Sequence, residues 1–133
     1  MVSLLHHQPI TVTALSDILG LSQPATSRLV QGLQNQELVE RDMATGRKRA
    51  LVLTRQGVVE AAVLQDARLE AIAKALEPLS DSDRGVLDRV VSTVLTHLTD
   101  GPEHARIMCR YCDHNTCDGA PVSYTHLTLP TKA

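Results

Sequence analysis

Apolar side chains recur at helical spacing through most of this chain, with one short stretch where they alternate instead. Leu15, Ile18, Leu19, Leu21, Ala25, Leu29 and Leu33 give two adjoining helices their apolar faces. Thr11 is placed to cap the first, which runs through Asp17 and Ile18 and stops at Gly20. Ser22 caps the second, which runs to about Gln34, and Pro24 falls in its first turn, where a missing N–H costs little. Two short helices across a tight glycine turn predict a helix-turn-helix. The period then drops to two. Val39, Arg41 and Met43 alternate with Glu40 and Asp42, and Leu51 and Leu53 flank Val52 on the return. Ala44-Thr45-Gly46 supplies a turn, so the pattern predicts a β-hairpin with Arg47, Lys48 and Arg49 near its tip.

The helical period returns at Thr54, which caps a long helix reaching about Glu77, with Pro78 helping to end it. Ser80 with Asp83 has the spacing of a capping box, and Leu87, Val90, Val91, Val94, Leu95 and Leu98 then form one continuous stripe. Gly101-Pro102 closes this last helix, and a polar, Cys-rich segment follows. The expected fold is mainly α with a small β-hairpin: a winged helix-turn-helix followed by two long helices of the dimerisation type. The organisation reads as a winged unit at 1–55, a helical dimerisation region at 56–100, a Cys-rich segment at 101–121 and a foreign tail at 122–133. The tail sequence VSYTHLTLPT resembles the translation of a transposase sequencing adapter, so 122–133 is set aside as non-native.

Composition narrows the picture. At 133 residues the chain suits one compact domain, and its core must be aliphatic, because Tyr111 and Tyr124 are the only aromatic residues. No run approaches the roughly 18 apolar residues of a membrane helix, and Met1 to Leu5 is too short for a signal peptide. The expectation is a cytoplasmic protein without a membrane partner. The net charge is only −2, yet residues 22–55 carry six basic side chains against three acidic ones. A basic segment on an otherwise acidic chain is the footprint of one face that meets phosphate.

The second short helix carries Gln23, Thr26, Ser27, Arg28, Gln31 and Gln34 largely away from its apolar residues. Such side chains hydrogen-bond base edges and phosphates, and the major groove admits a helix that presents them. Ser22 and the free N–H groups at the helix start suit a phosphate oxygen. An ordinary solvated face would normally include acidic residues, and none occurs between Ser22 and Gln36. The expected DNA-binding residues are therefore Ser22, Gln23, Pro24, Thr26, Ser27, Arg28, Gln31, Arg47, Lys48 and Arg49.

The stretch ITVTALSDILGLSQPATSRLVQGLQNQELVER, followed by a basic hairpin and LTRQG, resembles the MarR family of transcriptional regulators. The resemblance covers about residues 4–98. It implies a homodimer on double-stranded DNA at a pseudo-palindromic operator, often released by a small-molecule effector or thiol oxidation. Ser22, Gln23, Pro24, Ser27 and Arg28 match the family's recognition-helix pattern, and Arg47 matches its wing arginine. Three positions depart from it. Ser27 stands where Thr is usual, Glu37 replaces the Gly before Leu38-Val39, and Thr45 stands near the position of the wing Asp. The family's first helix and most of its second have no counterpart here.

Cys109, Cys112 and Cys117 fall within nine residues, with His114 between them. This C-x2-C-x-H-x2-C pattern offers four donors for zinc or an iron–sulfur cluster. The same thiols, with Arg106 and Arg110 beside them, alternatively form a redox switch. His6 and His7 are expected at the surface, and His97 and His104 have no partner at metal spacing. A winged-helix module that binds protein and carries a structural zinc is the competing reading, disfavoured by the basic wing tip. An enzyme is not expected, because no orienting third residue or glycine-rich elbow accompanies Cys109, Cys112 and His114.

Overall fold

The computed structural model describes residues 1–42 and 50–112. The element order is α1 (Val2–His7), β1 (Ile10–Thr11), α2 (Val12–Leu19), α3 (Gln23–Asn35), β2 (Val39–Arg41), β3 (Ala50–Leu53), α4 (Arg55–Leu76), α5 (Asp81–Leu98) and α6 (Pro102–Met108). The chain divides into two compact units, Met1–Ala67 and Arg68–Ala133.

The expected caps are present. Thr11 accepts from the Ala14 N–H at 3.2 Å, and Gly20 ends α2 in the left-handed region at φ 65°. Ser22 accepts from the Ala25 N–H at 3.4 Å to open α3, and Thr54 accepts from the Gly57 N–H at 3.0 Å to open α4. Ser80 accepts from the Asp83 N–H at 3.1 Å while donating its hydroxyl to Asp83 Oδ2 at 2.6 Å. These side chains take up N–H groups that a helix start leaves without an intrahelical partner.

The hairpin is joined by a strand that the alternation does not reveal. Three strands form an antiparallel sheet in the order β1-β3-β2, with Ile10 opposite Leu51 and Val39 opposite Leu53. β1 is two residues long, too short for a period-two pattern to register. Beyond its end, Gln8 Oε1 accepts from the Leu53 N–H at 2.7 Å, so a side chain continues the pairing that the backbone of β1 begins. Two further elements are helical beyond the sequence expectation: α1, for which the pattern predicts no element, and α6, which opens the segment expected only to be polar and Cys-rich.

The core of the first unit joins Leu4, Ile10, Leu15, Ile18, Val30, Val39, Leu51, Leu53 and Ala61, and it is wholly aliphatic. Full burial of one such leucine contributes about 1.5–3 kcal/mol. The apolar face of α3 is phased differently from the expectation. Thr26 and Val30 point inward and Leu33 packs partly buried against the core, whereas Leu29 is 55 % exposed. α4 buries only Gly57, Ala61 and Gln65, a single stripe four residues apart whose first two members are small. His6 and His7 are half-buried with enclosed Nε2 atoms, rather than lying freely at the surface.

Candidate nucleic-acid interface

The helix-turn-helix is built by α2 and α3. Gly20 reverses the chain in the left-handed region, and the Leu21 N–H donates to the Ser16 carbonyl at 3.1 Å across the turn. Ser16 is itself buried, with its hydroxyl donated to the Thr13 carbonyl at 2.6 Å. A second link comes from α3, where Gln23 Nε2 donates to Thr13 Oγ1 at 3.0 Å. Thr13 is not among the residues the sequence pattern points to. A polar residue one turn before the buried Ser16 carries no signal until α3 is placed against it.

Ser22, Gln23, Pro24, Ser27, Arg28 and Gln31 are all exposed on α3 or its cap. Gln31 Nε2 donates to Asn35 Oδ1 at 3.0 Å, which aligns two amides one turn apart along the helix. The face contains no carboxylate. One expected residue does not belong to it. Thr26 is fully buried, and its Oγ1 has no hydrogen-bond partner among the described residues. A side chain at this helical position lies a full turn from Val30 on the inward stripe, so it cannot reach a groove.

The wing residues Arg47, Lys48 and Arg49 lie outside the described residues. Their setting is fixed at its base, where β2 ends at Arg41 and the Asp42 N–H donates to the Ala50 carbonyl at 2.9 Å. The departure at Glu37 has a structural counterpart. Glu37 lies at φ 58°, a left-handed conformation that favours glycine, between the end of α3 and β2. Thr54 Oγ1 donates to its carbonyl at 2.7 Å, tying this turn to the start of α4.

In the second unit, Cys109 is buried and Cys112 half-buried just beyond α6. His114 and Cys117 lie outside the described residues, and no three metal donors come together among the described ones. Arg68 on α4 donates to the Tyr111 carbonyl at 3.1 Å, a contact between residues 43 apart that spacing alone does not suggest. Among the described residues, no helix is long and apolar enough to cross a membrane.

A helix-turn-helix, a three-stranded antiparallel sheet and a long following helix define a winged helix-turn-helix. Residues 2–50 match the model of the MarR family. Among solved structures, a MarR/EmrR family transcriptional regulator from Acinetobacter sp. ADP1 shares 28 % identity over 70 % of this chain and 68 % of its own, with a TM-score of 0.53. Lactococcus lactis ZitR, in a mutant apo form, shares 23 % identity over 74 % of this chain and 78 % of its own, with a TM-score of 0.46. No curated protein sequence matches the chain. Residues 2–50 are thus similar to the MarR family, and the fold is similar to that of a MarR/EmrR family transcriptional regulator.

Proposed function

We propose that this protein is a sequence-specific DNA-binding transcriptional regulator that lays α3 in the major groove and acts as a homodimer on a pseudo-palindromic operator. The observation that carries this reading is the exposed, acid-free face of α3, with Gln23, Ser27, Arg28 and Gln31. Gln23 is held by Thr13 through one amide N–H. A glutamine amide has a second N–H and a carbonyl oxygen, the pair that recognises adenine, while Arg28 suits guanine or a phosphate. Arg47, Lys48 and Arg49 serve the backbone or an adjacent minor groove.

Dimerisation is supported by the apolar side chains left uncovered on the long helices. α5 has no buried residue, and Val90, Val91, Val94 and Leu98 are all exposed, Val90 at 54 %. On α4, Val59, Val63, Leu64 and Leu69 are likewise exposed. On α5 taken by itself, apolar side chains exposed at helical spacing support association with another surface. A two-fold pair sets two recognition helices about one DNA turn apart.

The test is selection from a random duplex library with the full chain. Enrichment of a two-fold site, bound less tightly as salt rises, is the expected result, because phosphate contacts release counterions. Binding with no enriched sequence, or with no salt dependence, overturns the reading.

A further inference from the structure

The side chains of the helix-turn-helix mostly bond close by in sequence: Thr11 and Ser22 cap their own helices, and Gln31 reaches Asn35 one turn along α3. One bond crosses between the helices. Gln23 Nε2 donates to Thr13 Oγ1 at 3.0 Å, joining the first residue of α3 to the second of α2. Both residues are exposed, so the pair stands on the surface of the unit rather than in its core. A neutral hydrogen bond in water contributes little to stability, and its effect is on geometry.

Thr13 is a fixed partner. Thr11 caps the same turn through the Ala14 N–H at 3.2 Å, and the Ser16 hydroxyl donates to the Thr13 carbonyl at 2.6 Å. The Leu21 N–H then ties the entry of α3 to the Ser16 carbonyl at 3.1 Å. The hydroxyl that Gln23 meets belongs to a β-branched side chain, which turns little about χ1. A glutamine without such a partner samples many rotamers and gives up that freedom when it docks on a base.

The bond also has a direction. The outer edge of a glutamine amide carries one N–H and one oxygen side by side. With Nε2 turned to Thr13, Oε1 lies on the far side, so donor and acceptor come in one order across that edge. Adenine presents N7 as acceptor and its N6 amino group as donor in the major groove, and an A·T pair shows them in the reverse order to a T·A pair. An amide free to rotate by half a turn reads the two pairs alike. One held by Thr13 matches only one of them.

We propose that Thr13, touching no base itself, is the positioning residue through which Gln23 distinguishes A·T from T·A at one base pair of each half-site. This rests on the DNA-binding reading above and adds to it the group that sets which strand carries the adenine.

The test starts from the site that the full chain enriches from random duplexes. Gln23→Ala identifies the base pair that Gln23 reads, as the one position where preference is lost. Duplexes carrying A·T or T·A at that pair are then compared by fluorescence anisotropy. The intact chain should separate them by about 10-fold, within the range of a bidentate base contact. Thr13→Val keeps the shape but removes the acceptor oxygen, and should cut the ratio to about 2-fold or less, since the bidentate match no longer has a fixed order. Thr13→Ser, which keeps the oxygen, should restore it. In the Gln23→Ala background Thr13→Val should change the ratio no further, because the two residues act as one unit. Asn35→Ala, which releases Gln31 instead, should leave the ratio at this pair unchanged. A ratio preserved in Thr13→Val, or a preference weakened equally at every position, overturns the proposal while the DNA-binding reading stands. So does a Gln23→Ala profile in which no position changes. Absence of any enriched site overturns both.

Discussion

Gly57, in the first turn of α4, lies against the backbone of Leu38: a β-carbon on Gly57 would stand 2.9 Å from the Leu38 carbonyl carbon and closer still to its oxygen. The same carbonyl accepts from the Thr54 N–H at 3.1 Å. The start of the long helix and the entry to the wing are thus packed backbone on backbone. Neither side is a flexible side chain that could move aside.

Gly57→Ala should therefore destabilise the fold by about 3 kcal/mol, as overpacking against a fixed backbone does at its upper end. Gly85→Ala is the control, because no atom lies within 4 Å of the added carbon on α5. That change should stabilise by about 0.5–1 kcal/mol through helix propensity. Urea unfolding midpoints measure both, and equal midpoints for the two variants would contradict the packing argument.

Glu37→Gly should raise stability by about 0.5–1 kcal/mol. The left-handed conformation at φ 58° costs a non-glycine residue about 1–2 kcal/mol, partly offset by the greater chain entropy glycine loses on folding. A lower melting temperature for Glu37→Gly would mean that the Glu37 side chain contributes more than its backbone costs.

Thr26 and Arg28 should separate cleanly. Thr26→Val removes a buried hydroxyl that has no partner among the described residues, and should gain about 1 kcal/mol of stability without altering DNA affinity. Arg28→Ala should leave stability unchanged and weaken binding to the selected site by about 1–3 kcal/mol, relaxing specificity there. Fluorescence anisotropy on the selected duplex reads both, and reduced affinity in Thr26→Val would return that residue to the interface.

Val90→Glu places a charge in the exposed stripe of α5 and should shift a dimer to monomer in sedimentation with helix content unchanged. An unaltered sedimentation profile would remove α5 from the dimer interface. The same variant should bind the two-fold operator little more tightly than an isolated half-site, since the second recognition helix is lost.

Much of this architecture is legible in the sequence because it is written in local chemistry. Thr11, Ser22, Thr54 and Ser80 each cap the helix they precede, and Gly20 stops the one before it. Those signals act within four residues. The phase of α3 is not legible in this way: the polarity pattern sets leucine inward and threonine outward, whereas the structure encloses Thr26 and leaves Leu29 exposed. Tertiary packing overrode the polar pattern. The contacts of Gln23 with Thr13 and of Arg68 with Tyr111 escaped for a different reason, since they join residues ten and 43 apart whose meeting depends on how whole elements dock.

The hydrogen bond from the Leu53 N–H to Gln8 has a consequence for exchange with solvent. Leu53 sits at the end of β3, where a two-residue neighbour strand would ordinarily leave its amide to fray. With a side-chain oxygen 45 residues away in sequence as its acceptor, that amide opens only when the segment around α1 releases as well. In deuterated water, the Leu53 proton should persist far longer than its position at a strand end suggests, and Gln8→Ala should return it to the rate of a frayed edge.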